Sequence, residues 1–271
     1  MARYFLEVSY HGAAYAGFQI QQNAHTVQEE VEKALNIVLK FRPVLTGSSR
    51  TDSGVHAQQN FFHFDIEEPI DPRAIYNLNA VLPGDIAVRS LQLVKPDAHC
   101  RFDALSRSYV YSIYNRKDPF LRDRAYYYPY TLDFEKMRRA SRFLTEQTDF
   151  SSFSKRNTQV HTFNCRIIRS EWIISDGAIE YQVESNRFLR GMVRGLVATM
   201  LRIGRGRLPL EELAGIFAAK NNASAWFDVP GHGLMLSEVR YDWEKVLDSS
   251  IKDSAGIGTS NPASDVTASG T

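Results

Sequence analysis

The ten residues SRTDSGVHAQ, at positions 49–58, place a cation, a carboxylic acid, a glycine and an imidazole close together: Arg50, Asp52, Gly54 and His56. Asp, Ser and Gly form turns readily, because short polar side chains bond nearby backbone N–H groups and glycine accepts positive φ. The pattern alone therefore favours a structural turn. Apolar runs on both sides predict strands, however, and loops held between strands often carry reacting groups. A catalytic carboxylate at Asp52, stabilised by the Arg50 cation, is the second interpretation.

Other catalytic motifs are missing from the sequence. It has no GxxxxGK[ST], GxGxxG or HExxH motif, so neither a nucleotide cofactor nor a zincin site is indicated. The two cysteines, Cys100 and Cys165, lack CxxC spacing and read as reduced structural thiols. His99 and Cys100 are adjacent, and in an extended segment neighbouring side chains point to opposite sides, which disfavours one shared metal. We expect no metal and no cofactor, although a metal-dependent nuclease built on Asp52 and His56 stays open as a rival.

Basic residues are concentrated in two parts of a nearly neutral chain. The formal net charge is +1, yet residues 185–210 hold six arginines and no acid, and residues 101–124 hold a second basic cluster. Local clusters of cations can hold the phosphates of a nucleic acid while the rest of the surface keeps the protein soluble. Either cluster alone is more typical of a solvated surface. A protein that binds structured RNA without any reaction is therefore a second open hypothesis.

The elements that must position these residues fall into two similar halves. Residues 1–103 predict an α+β unit with strands RYFLEVSY, QNFFHFDI and DIAVRSLQLV, a helix TVQEEVEKALNIVLK capped by Thr26, and a second helix starting at Asp71 and Pro72. The short run PVLTG predicts a further strand just before the 49–58 stretch.

The second half, residues 104–247, repeats these ingredients. It predicts strand RSYVYSIYN, helix DFEKMRRASRFL capped by Asp133, a hairpin of RIIRSEWIIS and AIEYQVES turning at Asp176 and Gly177, helices FLRGMVRGLVATMLRI and LEELAGIFAA, and strand LMLSEVRY. Alternation along RSYVYSIYN places Tyr109, Tyr111 and Ile113 on one face, which is typical of a core row.

The two ends of the sequence carry little structural signal. Residues 248–271 are small and polar without aromatics, so they predict a disordered tail. The first 25 residues lack an unbroken apolar core ahead of a cleavage site, and no later apolar run is long enough to span a bilayer. We therefore expect a cytoplasmic protein without a membrane segment.

The stretch GSSRTDSGVHAQ resembles the GRTDAGVHA signature of the tRNA pseudouridine synthase A family. Further matches follow in order over about 240 residues: YHGAAYAGFQIQ, TVQEEVEKAL, NAVLPGDIAV, HCRFDALSRSYVYSIYN, TDFSSF, NRFLRGMVRGLV and GHGLMLSEVRY. The resemblance implies an α+β fold of two similar halves, with largely antiparallel sheets joined across a basic central cleft. It also implies isomerisation of uridine to pseudouridine at positions 38 to 40 of the tRNA anticodon stem-loop, by a homodimer that needs no cofactor.

The resemblance also assigns roles to individual residues. Asp52 matches the catalytic aspartate and Tyr109 the residue that stacks on the target base. Arg50 matches the arginine ahead of the acid, and Arg194 the arginine that pairs with it, for which we expect two hydrogen bonds to the carboxylate. Four further arginines are candidates for the tRNA backbone: Arg187, Arg190, Arg205 and Arg207. The spacings of three and four predict that Arg187, Arg190 and Arg194 lie along one side of the helix FLRGMVRGLVATMLRI. The chain departs from the family pattern at Ser49, Ser53 and Gly191, where glycine, alanine and a larger residue are common.

Overall fold

The computed structural model describes residues 1–71, 73–155, 160–175 and 178–248. The described residues form nine strands: β1 Ala2–Tyr10, β2 Thr46–Gly47, β3 His56–Ile66, β4 Ile86–Val94, β5 Ala104–Tyr114, β6 Tyr126–Tyr127, β7 Ile167–Ser175, β8 Ala178–Ser185 and β9 Leu234–Tyr241. They also form six α-helices: α1 Val27–Leu39, α2 Ala74–Val81, α3 Phe134–Leu144, α4 Met192–Gly204, α5 Glu212–Ala219 and α6 Trp243–Val246.

One sheet runs through both halves of the chain. Its main order is β4-β1-β3-β9-β5-β8-β7, with β2 beside β3 and β6 beside β5. The pairs β3·β9 and β5·β6 are parallel, and the other pairs are antiparallel. The predicted α+β class with a largely antiparallel sheet is confirmed. The last strand, β9, lies at the centre and joins the halves; the boundary at residue 103 stays a prediction.

Local sequence signals explain where the helices begin. The Thr26 side chain accepts a hydrogen bond from the backbone N–H of Glu29, and Asp133 caps α3 by accepting from that of Lys136, as predicted. Both helices bury an apolar stripe against the sheet or a neighbouring helix. The capped helices therefore flank a sheet whose central strands, β3, β9 and β5, carry the candidate site.

The helix predicted over FLRGMVRGLVATMLRI begins later than expected. Gly191, its N-cap, is in the left-handed conformation with φ of 75°, and α4 starts at Met192. Arg187 and Arg190 therefore precede the helix, and the prediction that they share one helical side with Arg194 is wrong. A left-handed residue interrupts the right-handed helical path, and glycine adopts that conformation without steric cost.

Several other expectations end differently. Of the predicted strand PVLTG, only Thr46–Gly47 pairs with β3. Three predictions fall on residues outside the described part of the chain: the turn at Asp176 and Gly177, the helix start at Pro72, and the tail after Asp248. The second helix, as described, begins at Ala74. Within the described part of the chain, none of the helices is long and apolar enough to cross a membrane.

Candidate active site

The parallel pairing of β3 and β9 brings two loops to the same end of the sheet. His56 lies opposite Met235, so the 49–55 loop before β3 meets the 227–233 loop before β9. The His56 ring, at the start of β3, links the segment after β1 to the 227–233 loop. Its Nδ1 accepts from the Gly12 N–H at 2.9 Å, so its Nε2 carries the proton and donates to the His232 carbonyl at 3.0 Å. Burial, followed by the nearby His11, lowers the pKa of His56. His56 is thus a neutral link between loops, with both ring nitrogens in use.

The 49–55 loop contains a turn, as the residue pattern favours, and backbone groups close it. Gly54 has a φ of 75°, and the Val55 N–H donates to the Asp52 carbonyl at 3.2 Å. The Phe18 N–H donates to the Thr51 carbonyl at 3.1 Å, which fixes the loop to the segment before α1. The Asp52 carboxylate contacts cations instead. The stretch therefore forms a turn, and it also places the Asp52 carboxylate in contact with cations.

Arg194 is the nearer of two cations beside Asp52. Its Nη1 lies 3.4 Å from Asp52 Oδ2, while its Nε donates to the Val229 carbonyl at 2.9 Å and its Nη2 to the Phe227 carbonyl at 3.5 Å. The expectation of two hydrogen bonds from Arg194 to Asp52 is wrong for this structure. The cause is that two of the three guanidinium nitrogens bind the 227–233 loop, which leaves one for the acid.

Lys155 is the second cation, and the motif-based interpretation did not include it. Its Nζ lies 3.8 Å from Asp52 Oδ2. The side chains of Asp52, Arg194 and Lys155 are 26%, 17% and 34% exposed, so this is a partly desolvated cluster of one anion and two cations.

Tyr109 lies on β5, next to β9, where it pairs with Leu236. Its ring is 9% exposed and meets Phe188 edge-on, with the centroids 5.0 Å apart. Burial raises the pKa of Tyr109 to about 12, against the effect of Arg107, and the Asp52 carboxylate raises it further. The hydroxyl is therefore neutral at pH 7 and close enough to Asp52 to sense its charge. Tyr111 is fully buried and donates to the Pro230 carbonyl, which fits its expected packing role.

A group of arginines lies beside this site. Burial lowers the pKa of Arg101, and the positive charges of Arg50 and Arg187 lower it further, so the three guanidinium groups are neighbours. Arg50 and Arg190 are exposed, and the Arg190 carbonyl accepts from the Lys155 N–H at 3.0 Å. Mutual repulsion among cations is relieved when an anion binds, so this cluster suits a phosphate backbone.

Arg205 and Arg207 lie elsewhere. They follow the C-terminal end of α4, and Arg205 is eleven residues beyond Arg194, which is about 16 Å along a helix axis. The Arg205 guanidinium stacks on Tyr130 at 3.7 Å from the ring centroid. The structure therefore separates the four predicted backbone arginines into Arg187 and Arg190, which precede α4 at the end that carries Arg194, and Arg205 and Arg207, which follow its other end.

A cavity of about 570 Å³ is lined by Arg194 and by residues of the 227–233 loop. Its walls combine aromatic and ionisable side chains, including Tyr114, Arg122, Tyr126, Tyr127 and His232. A second cavity, of about 610 Å³, lies along α1 and is lined by none of the predicted site residues. The first cavity therefore extends the site, and the second is separate from it.

One side-chain cluster has the donors of a metal site. Ligand atoms of His63, His99 and Cys100 lie within 4.8 Å of one another, so the expectation that His99 and Cys100 point apart is wrong. The reason is a turn, in which the N–H groups of Phe102 and Asp103 both donate to the His99 carbonyl.

The same donors already have partners within the protein. His63 Nδ1 accepts from the Cys100 N–H at 3.3 Å, the Cys100 thiol donates to the Thr46 carbonyl at 3.2 Å, and His99 Nδ1 accepts from the Arg101 N–H at 3.2 Å. Burial raises the pKa of Cys100 to about 12 and lowers that of His63 to about 4. Both groups are neutral at pH 7, and their hydrogen bonds account for the cluster without an ion. Both cysteines are buried and free, as predicted.

Comparisons with known proteins point to one family. The family model described as tRNA pseudouridine synthase matches residues 144–242. A protein named tRNA pseudouridine synthase A from Parabacteroides distasonis is 43% identical over 246 residues, which are 90% of this chain and 98% of the relative. Relatives of the same name from Bacteroides thetaiotaomicron and Staphylococcus aureus (strain JH1) are 41% and 37% identical. Those alignments cover 89% and 90% of this chain, and 91% and 93% of the relatives.

Proposed function

The chain belongs to the tRNA pseudouridine synthase A family, and from that membership we propose that it isomerises uridine to pseudouridine at positions 38 to 40 of tRNA. It is an isomerase of the pseudouridine-forming class, and tRNA is its substrate. The observation that supports the proposed site best is the Asp52 carboxylate, which lies in the loop at the end of the central strands, contacts Arg194 and Lys155, and raises the pKa of Tyr109 by its charge.

The chemistry requires one acid at the sugar. The bond from uracil N1 to ribose C1′ breaks, the base turns, and C5 of the base forms the new bond to C1′. C5 then releases its proton and N1 gains one, so substrate and product are isomers, and a tritium label at C5 is released. The transition state resembles the electron-poor sugar of glycoside cleavage, which a carboxylate stabilises or traps. Hydrolytic glycosidases use a second carboxyl group for the leaving group or water, whereas here the detached base is itself the returning nucleophile. Asp52 alone therefore suffices, either by adding to C1′ or by removing a sugar proton to give a glycal.

The target uridine has to leave its stack before C1′ becomes accessible. Flipping a nucleotide costs a few kcal/mol, and stacking on an aromatic ring returns about 1 to 3 kcal/mol per base. We assign the stacking on the flipped base to Tyr109. We also propose that Arg50 fills the space that the flipped nucleotide leaves, or binds the phosphate of that nucleotide. The exposed position of Arg50 beside the neighbouring arginines Arg101 and Arg187 supports this assignment.

Replacing Tyr109 with Leu should lower the single-turnover rate about 10- to 100-fold, since the stacking surface is lost. Replacing it with Phe should leave the rate within a few-fold of wild type, because the ring remains and the buried hydroxyl is neutral. Single-turnover tritium release from C5-labelled tRNA measures both rates. Equal losses in the Phe and Leu variants would instead assign the role to the hydroxyl.

Recognition of tRNA, assembly and location are also proposals. The basic cluster of Arg50, Arg101, Arg187 and Arg190 supports recognition of the folded RNA backbone by shape. Contacts from Arg205 and Arg207 would extend the footprint by about the length of α4. Family membership supports a homodimer in the cytoplasm, with one tRNA contacting both subunits.

The decisive experiment uses purified protein and tRNA transcripts carrying C5-tritiated uridine. We expect tritium release with full-length RNA as product, pseudouridine mapped to positions 38 to 40, and loss of release when those uridines are replaced by cytidine. Binding without release would favour the RNA-binding hypothesis. Shortened RNA that disappears with chelator would favour the nuclease. Modification of uridines outside the anticodon arm would contradict the proposed position.

A further inference from the structure

We infer that Lys155 is a second positioning residue for Asp52, and that Gly191 provides the space in which it lies. This inference rests on the proposed function, because it concerns the acid assigned to the reaction. The resemblance to the family assigns a role in the site to neither residue. Three observations carry it: the contact between Lys155 and Asp52, the attachment of the Lys155 backbone, and the packing of its aliphatic stem across Gly191.

The two cations approach Asp52 at the same oxygen. Arg194 Nη1 is 3.4 Å and Lys155 Nζ is 3.8 Å from Oδ2. Because both cations contact Oδ2, we assign the other carboxylate oxygen, Oδ1, to C1′ of the ribose. A second cation also offsets the electrostatic repulsion between Asp52 and the phosphates of an arriving tRNA. That repulsion acts over several ångströms in a partly desolvated site.

The Lys155 backbone is anchored close to α4. Its N–H donates to the Arg190 carbonyl at 3.0 Å, and Arg190 lies next to the Gly191 N-cap of the helix that carries Arg194. The two cations are therefore positioned by one junction, although 39 residues separate them in sequence. A lysine held only by its flexible side chain would sample many rotamers, whereas this one starts from a fixed backbone position.

Gly191 leaves room for the lysine stem. A Cβ added at Gly191 would lie 3.0 Å from Lys155 Cγ and 3.1 Å from both Cδ and Cε. Contacts at that distance require the neighbour to move, so a larger residue at 191 would displace the lysine from its present path. We infer that the small residue and Lys155 form a matched pair.

The first test separates positioning from phosphate binding. We compare Lys155→Met, which keeps the stem without the charge, with Lys155→Arg and with the control Lys136→Met. Lys136 pairs with Asp133, the N-cap of α3, which bonds Gly204 at the opposite end of α4 from Arg194. We expect Lys155→Met to lower the single-turnover rate at saturating tRNA about three- to fivefold, the upper end for a partly exposed ion pair, with Kd changed less than twofold. Lys155→Arg should stay within about twofold of wild type, and Lys136→Met should match wild type.

The opposite result is equally clear. If Lys155→Met raises Kd and lowers its salt dependence at an unchanged saturated rate, Lys155 contacts tRNA phosphate and the inference is wrong. An unchanged rate and Kd would also overturn it. Wild-type protein that forms no pseudouridine would contradict the proposed function itself, so the two failures are distinguishable.

The second test examines the matched pair through a double-mutant cycle. Gly191→Asn adds a Cβ at a position where asparagine is the best tolerated alternative to glycine. We expect it to lower the rate about three- to fivefold in wild type but less than twofold in the Lys155→Ala background, where no stem remains to be displaced. Equal losses in the two backgrounds would show that Gly191 acts independently of Lys155. Thermal unfolding of all four proteins reports any general loss of stability.

Discussion

Asp52→Asn should reduce pseudouridine formation by about 10⁴-fold or more, which is the scale observed when a single reacting group is removed from an enzyme. The amide has nearly the same shape as the carboxylate, yet it carries no charge to stabilise the sugar cation and is a poor nucleophile and base. The loop itself should be unaffected, because the Asp52 backbone carbonyl, and not its side chain, closes the turn to Val55. Single-turnover tritium release from C5-labelled tRNA measures the rate.

Binding and folding provide the controls for Asp52→Asn. The affinity for tRNA should be equal or slightly higher, because a negative charge facing a polyanion is removed. Asp65→Asn is the matched control: Asp65 is also an aspartate paired with an arginine, Arg3, at 2.7 Å, but it lies on β3 away from the site. It should keep the wild-type rate. If Asp52→Asn were as active as Asp65→Asn, the proposed mechanism would be wrong.

Local sequence signals predicted most elements of the fold but not how they associate. Strand alternation and side-chain caps placed α1, α3 and β1 within a residue or two of their observed ends, because those signals act over a few positions. The central place of β9 depends on pairing with β3, about 180 residues earlier, and nothing in its alternation specifies that partner. The position of Asp52 beside Arg194 therefore followed from resemblance to a family and not from periodicity.

The misjudged details share a physical origin in backbone conformation. Apolar spacing continued through Gly191, so the pattern extended the helix across a residue whose left-handed conformation ends it. The turn after His99 brought together side chains that an extended segment would separate. Lys155 follows the TDFSSF motif without any periodic signal, and its contact with Asp52 arises from the fold around the start of α4.

Arg194→Ala should lower the saturated rate about 10²- to 10³-fold, because removing one partner of a partly buried pair leaves the other charge uncompensated. The 227–233 loop also loses the donors that bind the Phe227 and Val229 carbonyls, so the acid and the adjoining loop both become less well positioned. Arg194→Lys should recover only part of the rate, since an ammonium group has no planar fork with which to reach Asp52 and both carbonyls together. Arg202→Lys, on the same helix and paired with Asp228, is the matched control and should remain active.

The combination of the two variants decides how Arg194 acts. If Arg194 works through Asp52, then Arg194→Ala should lower the rate little further in the Asp52→Asn background, because groups that act as a unit are strongly non-additive. If Arg194 instead binds a phosphate, the alanine variant should keep its saturated rate, weaken tRNA binding at every salt concentration, and reduce the salt slope by about one. The contacts favour the first outcome: Arg194 Nε is committed to the Val229 carbonyl, and Nη1 lies beside the carboxylate that would repel an incoming phosphate.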